Sequence, residues 1–344
     1  MRLVNFVEPV VDQLDHTLPE GGPTEFEIIT AMMFAYFAEG HADVVLVEVG
    51  LGGLYDSTNV ITPIASAITS IGYDHMQILG NTLNEIAAQK AGIIKPNVPV
   101  VVGNIEDDQL EVIAKTATRN HSQLVEFGRD FQVTNNHVAN WLQSFDYAGF
   151  GMEAHFKSSL LGEYQAHNAA VAISLYFVYC KFMGTSPLID NVVTGISNTK
   201  WAGRFEKISD DPTVVIDGAH NVPAAKQISN LLNTSYSTGK IYILMAVLAD
   251  KQAKEIVSEM AKVKNAEITL TTFNTPMNRR LFDANMIEQV EKNQGVNVAF
   301  NPDFKTAITQ LKAKMNSEDL LLITGSLYFI SEVRAYLLKY NEQI

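Results

Sequence analysis

The sequence predicts an α/β fold built from two α/β units joined by a stretch of different character. Three observations carry this prediction. Val-rich apolar runs alternate with helical patterns, two capping boxes mark helix starts in the first third, and the alternation lapses near residue 123 and resumes at Phe205. Alternating strand and helix signals point to a parallel sheet with crossover helices. The 344-residue length suits two domains, at roughly 150 residues each.

In order along the chain, Thr24 and Glu27 form the first capping box, opening a helix that runs to about residue 39. Residues 43–49, DVVLVEV, read as a strand buried on both faces. A second apolar run covers 64–71. Thr82 and Glu85 open another helix, which Gly92 stops. Residues 98–102 form a third strand. Short alternating segments over 123–157, with Asn135-Asn136 and Gly149, predict small antiparallel strands. A long helix over 164–183 and a shorter one to about 198 follow. Strands are then expected at 213–217, 241–245, 266–271 and 320–324. Helices are expected at 222–232, 251–262, 304–315 and 327–340, with a domain boundary near Thr199–Gly203.

Composition narrows the function. The 25 basic and 38 acidic residues give a net charge of −13. No basic block is present, which argues against non-specific nucleic-acid binding. An anionic ligand must then be met by local cations, helix N-termini or a metal. The hydrophobic fraction of 47% supports a sizeable core, and charged residues reach only 18%. A single cysteine, Cys180, rules out a disulfide framework or a cysteine-based zinc site and reads as a buried apolar residue. The N-terminus lacks a secretory pattern. The longest apolar stretch, 169–180, is too short to span a bilayer. The expected setting is cytoplasmic.

The run 43–49 leads into Gly50-Leu51-Gly52-Gly53, but Tyr55 stands where a dinucleotide fingerprint needs its third glycine. No Walker A loop, H-E-x-x-H or G-x-S-x-G occurs. What remains is a set of polar groups at expected strand ends, the edge where open α/β sheets bind ligands. Glu48 there either ligates a hard cation or caps a helix. His75, after Asp74, is a ligand or a structural hydrogen-bonding group. Lys90, inside an apolar helix, either snorkels or has a shifted pKa and reacts. Asp217 is placed to accept from a sugar hydroxyl, and His220 lies beside a helix N-terminus suited to phosphate. The structural alternative for both is a helix-capping turn.

Eight segments together resemble the folylpolyglutamate synthase and dihydrofolate synthase family, within the Mur ligase superfamily. They are LVEVGLGGLYDSTNVI (46–61), GYDH (72–75), QKAGIIK (89–95), GEYQAHN (162–168), WAGRFEKI (201–208), VVIDGAHN (214–221), LADK (248–251) and ITGSLYF (323–329). They run in family order from about Thr24 almost to the C-terminus. The resemblance implies a central P-loop-type ATPase-like domain over 1–199 and a smaller Rossmann-like glutamate-ligase domain over 204–344.

It also implies a reaction. ATP phosphorylates the γ-carboxylate of a tetrahydrofolate, and the amine of L-glutamate attacks the acyl phosphate. By the family pattern Glu48 and His75 ligate magnesium, and Lys90 carries a carbamate. Asn168 and Arg204 contact the nucleotide, Asp217 holds its ribose, and His220 lies near the phosphates. Lys251 and Ser326 match family segments without an assigned role. The implied partners are reduced folate, L-glutamate and ATP, with no nucleic acid or membrane, and the implied state is a monomer.

The family's opening strand, its G-T-N-G-K-G-S phosphate loop, the next helix and a Thr-Ser-Pro loop find no match. The expectation is a central domain incomplete at its N-terminus. Three readings stay open: folate polyglutamylation, dihydrofolate synthesis from dihydropteroate, and an inactive truncated remnant.

Overall fold

The computed structural model describes residues 1–19, 21–236, 238–249, 252–275, 281 and 298–341. It divides into two compact units. The first comprises Met1–Ile71 and His75–Val125, the second Gly72–Asp74 and Glu126–Ile344.

The first unit opens with helices α1 (Arg2–Thr17) and α2 (Glu25–Ala38). Thr24 and Glu27 close the expected capping box at α2. Next come β1 (Ser66–Ile68), α3 (Met76–Leu79), α4 (Leu83–Ala91), β2 (Val100–Val102), α5 (Asp107–Arg119) and β3 (Leu124–Glu126). The strands form one sheet in the order β1-β2-β3, with β1 and β2 parallel. Its core gathers Ile68, Val100, Val102, Ile94, Ile113 and Ala117. Apolar side chains from strands and from α5 leave water together, at about 25 cal/mol per Å² of apolar surface.

One expectation is corrected here. Residues 43–49 form no strand, and Leu46 is 86% exposed. A strand apolar on both faces exists only through a ladder to its neighbours. No described segment pairs with 43–49, and β1 is an edge of its sheet.

In the second unit β4 (Phe131–Ala139), β5 (Leu142–Gly149) and β6 (Met152–Ser158) make the expected antiparallel sheet. The turns have positive φ at Asn140 and Trp141, and at Phe150 and Gly151, as two-residue hairpins of right-handed twist require. Phe145, Tyr147 and Phe156 are buried on its inner face. Helices α6 (Glu163–Met183) and α7 (Ile189–Asn198) follow, and Cys180 is buried on α6.

The remaining elements are β7 (Glu206–Asp210), β8 (Thr213–Asp217), α8 (Val222–Ser235), β9 (Ile241–Ala246), α9 (Ala253–Met260), β10 (Ala266–Leu270), β11 (Val298–Phe300), α10 (Phe304–Lys312), β12 (Leu320–Gly325) and α11 (Leu327–Asn341). The sheet order is β11-β10-β9-β12-β8-β7. Every pairing is parallel except the β7 edge, which is antiparallel to β8. Side chains alternate between two cores. Val215, Ile243 and Leu322 pack with α8 and α9, while Ile216, Leu244 and Ile323 pack with α10 and α11. Helix α8 leaves β8 on one face and α11 leaves β12 on the other. The carboxyl ends of these adjacent strands therefore frame a switch-point crevice, where such folds bind ligands.

Candidate functional site

In the second unit the site grows from the end of β8. Asp217 is the last residue of that strand and only 3% exposed. One of its carboxylate oxygens accepts from the Phe205 amide at 2.8 Å. Burial pushes its pKa up to about 6, against the Phe205 and Ala219 amides and the Arg204 guanidinium, which pull it down. The Gly203 carbonyl accepts from the Gly218 amide at 2.9 Å, tying the Arg204 turn to the end of β8. A Cβ on Gly218 would stand 3.3 Å from Arg204 Nη1. The guanidinium thus lies beside this turn, and Leu327 Cδ2 stands closer still, at 2.4 Å from such a Cβ.

His220 is half-buried, and its Nδ1 lies 2.8 Å from the Gly218 carbonyl. In the tautomer that donates there, Nε2 is the acceptor. Asn221 caps α8: its Oδ1 accepts from the Ala224 amide at 2.9 Å, and its Nδ2 donates to Asp74 at 3.0 Å. The α8 N-terminus adds the positive end of a helix dipole. Asn168 is exposed on α6, one turn after Tyr164.

Tyr164 is the residue that sequence reasoning missed. Burial raises its phenol pKa, with Asp217 adding to the rise and Arg204 opposing it. It stands in the quoted segment GEYQAHN, but only the fold brings the start of α6 into the field of β8's end. Thr324 was also missed. It pairs with Asp217 in the ladder, and its buried hydroxyl has no hydrogen-bond partner among the described residues. Ser326 is buried just beyond, where its amide donates to the Ala246 carbonyl. Lys251 lies outside the described residues.

In the first unit Glu48 is exposed and lies in no strand, so its expected place at a buried strand end is not met. It enters the glycine-rich turn 50–53, which lies against two helices. A Cβ on Gly53 would meet the Gln89 and Lys90 carbonyls at 2.8 and 3.1 Å, and one on Gly52 would meet Leu79 Cδ2 at 2.5 Å. The Leu54 amide donates to Gln89 O at 2.8 Å. Leu79 ends α3, the helix His75 precedes with φ 47°, and Lys90 is in the last turn of α4. The loop after Glu48 thus contacts the helices associated with His75 and Lys90. Among the described residues no three His, Cys, Asp or Glu gather to hold a metal ion. No described helix is long and apolar enough to cross a membrane.

Comparison with known proteins gives two domain matches: the Mur ligase middle domain over residues 11–176 and the Mur ligase glutamate ligase domain over 203–327. The chain is 36% identical over 341 residues to the dihydrofolate synthase/folylpolyglutamate synthase of Bacillus subtilis, covering 96% of this chain and 76% of that protein. It is 35% identical to the folylpolyglutamate synthase of Lacticaseibacillus casei, covering 98% and 77%. Among solved structures, Mycobacterium tuberculosis folylpolyglutamate synthase complexed with ADP superposes with TM-score 0.87 at 29% identity, over 98% of this chain and 77% of that one. An FPGS–AMPPCP–folate complex superposes with TM-score 0.83 at 33% identity, over 98% and 76%.

Proposed function

The chain belongs to the folylpolyglutamate synthase and dihydrofolate synthase family of Mur-type ligases, and from that premise we propose how its residues carry the reaction. It is an ATP-dependent ligase that joins glutamate to folate. In our reading the γ-carboxylate of a reduced folate takes the γ-phosphoryl group of ATP and ADP leaves. The glutamate amine then attacks the acyl carbon. Phosphate departs with one former carboxylate oxygen, the amine loses its proton, and an amide remains. Such chemistry is positioning and charge stabilisation more than covalent work by the protein.

We assign residues 1–199 to the ATP- and magnesium-handling domain and 204–344 to the glutamate-ligase domain. Asp217, ionised above about pH 6, accepts from a ribose hydroxyl. Arg204 offers a planar cation to the phosphates, and His220 meets them with the α8 N-terminus. Asn168 contacts the nucleotide from α6. In a chain of net charge −13 these local positive features are what an anionic substrate requires.

Glu48 and His75 form our metal-ligand set. One carboxylate and one imidazole do not enclose a cation. They suit magnesium that keeps waters and takes phosphate oxygens, which is how magnesium commonly binds. Bound there it would supply charge neutralisation to the transferring phosphoryl group. Lys90, its helix end packed under the Glu48 loop, is our candidate for the carbamate-bearing lysine. We further read the protein as a cytoplasmic monomer.

The observation carrying this reading is the buried Asp217 with Arg204 and the His220 turn at the switch point of the second sheet. The test offers the purified chain ATP, magnesium, labelled glutamate and tetrahydrofolate; label in a longer folate supports it, and none overturns it. The second reading, dihydropteroate as acceptor, is favoured by the double name of the Bacillus subtilis relative. The same assay with dihydropteroate decides it.

A further inference from the structure

We propose that Trp141, at the tip of the β4–β5 hairpin, is a positioning residue for the nucleotide: its indole braces Phe205, and Phe205 in turn sets Arg204 and Asp217. The inference rests on the reading of Arg204 and Asp217 as nucleotide contacts. Phe205 follows Arg204 directly, and its amide donates to the buried Asp217 carboxylate at 2.8 Å. Its φ is 43° and its side chain is only 3% exposed. Trp141 has φ 60° in a two-residue turn, a place that favours glycine or asparagine. Bulky residues avoid this left-handed region. Strain of this kind lasts only where the surroundings impose it, and it gathers at ligand sites. Here the two strained residues meet each other.

The meeting is ring on ring. The Trp141 and Phe205 rings are stacked, with centroids 6.2 Å apart and planes 24° apart. Tyr236, the residue after α8, completes the group, 5.0 Å from the Trp141 ring and 5.6 Å from the Phe205 ring. Aromatic pairs at such separations attract beyond the area they bury. The Tyr236 hydroxyl is buried with no hydrogen-bond partner among the described residues, so what Tyr236 brings is its ring. Lys207 of β7 holds its ammonium 4.8 Å from the centre of the indole, a cation–π contact that ties Trp141 to the strand after Phe205. The hairpin is anchored on both sides of its tip. Val138 packs on the same core as Phe205, and Gln143 Nε2 donates to Gly162 O at 2.9 Å. Gly162 precedes the helix that carries Tyr164. Without the indole, Phe205 relaxes toward an ordinary φ, its amide leaves Asp217, and Arg204 turns with it. The nucleotide then binds only the fraction of molecules in which the turn is re-formed, and apparent affinity falls by that fraction.

The test is calorimetric titration of the full chain with ADP between about pH 5 and pH 8, the melting temperature being followed in parallel. Trp141→Gly removes the ring and gives the turn a residue it favours. It should weaken ADP binding at the upper pH by about tenfold. It should also move the pH midpoint of binding upward, since the Phe205 amide helps to hold down the Asp217 pKa of about 6. Arg204 and Tyr164, the charged and titratable groups in the field of Asp217, are unaltered in this variant. Trp141→Phe, which keeps a ring, should regain most of the affinity. Phe205→Leu, which keeps apolar bulk, should reproduce both effects, and it keeps the test alive if Trp141→Gly fails to fold. The double variant should bind no more weakly than the weaker single one, because both changes break one contact. A folded Trp141→Gly with unchanged ADP affinity and midpoint, and only a lower melting temperature, overturns the inference. Losses that add in the double variant overturn it too. Arg204→Met is the control. If it weakens ADP binding while the ring variants do not, only the role of Trp141 falls. If it leaves binding unmoved, the nucleotide reading falls and the inference with it.

Discussion

Asp217 holds a charge where burial opposes one, and its sign can be worked out. Its folded pKa, about 6, lies above the reference of 3.8, so the folded state binds the proton more tightly than the unfolded state. The stability this contributes is greatest below about pH 4 and is lost as pH rises through 6, a change of about 3 kcal/mol. Asp217→Asn is therefore expected to raise the melting temperature at pH 8, by about 2–4 °C per kcal/mol, while weakening nucleotide binding. A variant that loses both stability and binding would contradict this account of the buried carboxylate. Binding by the unaltered protein should be about tenfold weaker at pH 5 than at pH 8, and Asp217→Asn should flatten that profile. Lys90 gives a second prediction at this scale. Lys90→Ala and Lys90→Arg should both abolish turnover, since a guanidinium stays protonated and cannot take up CO₂ as an amine does. Normal activity of the arginine variant would remove the carbamate reading.

The loop over 50–59 and helix α4 are the elements that bring Glu48 and Lys90 into one unit. Gly53→Ala places a Cβ against the Gln89 and Lys90 carbonyls. It should cut turnover more than it lowers the melting temperature; equal losses in both would make the contact purely structural. The capping box of α4, where the Thr82 hydroxyl accepts from the Glu85 amide at 3.2 Å, sets the helix start. Thr82→Ala should cost about 1 kcal/mol, read as a shift in the denaturation midpoint. Much of this layer was legible in the sequence because its signals are local. The Thr24–Glu27 and Thr82–Glu85 boxes, the α6 run and strand β8 all lie where residue pattern placed them. What failed depends on partners distant in sequence. Residues 43–49 have the composition of a buried strand but no ladder among the described residues. The short segment of β7 is a strand only because β8 pairs with it. Likewise Asp217, Arg204 and His220 could be chosen from motifs, whereas Tyr164 and Thr324 could not. Their place beside Asp217 follows from a helix start and a ladder register that no local pattern encodes. Asp56 was quoted within a motif, yet the Leu51 and Thr58 amides that donate to its carboxylate are visible only in the fold.

At the scale of the whole molecule, an acidic chain must concentrate its positive features to handle phosphates and carboxylates. In our reading Arg204 and the α8 N-terminus do this at the end of β8, and Glu48 would add a divalent cation in the first unit. The chain spans about three quarters of the length of the relatives it matches, and that shared length carries both domains. The central claim is folate glutamylation through an acyl phosphate. Its most direct measurement uses tetrahydrofolate with a heavy-oxygen γ-carboxylate, together with ATP, magnesium and glutamate. The account predicts a folate longer by one glutamyl residue and heavy oxygen in the released phosphate, in equal amounts. A longer folate with unlabelled phosphate, or ATP consumed with no longer folate, would contradict it.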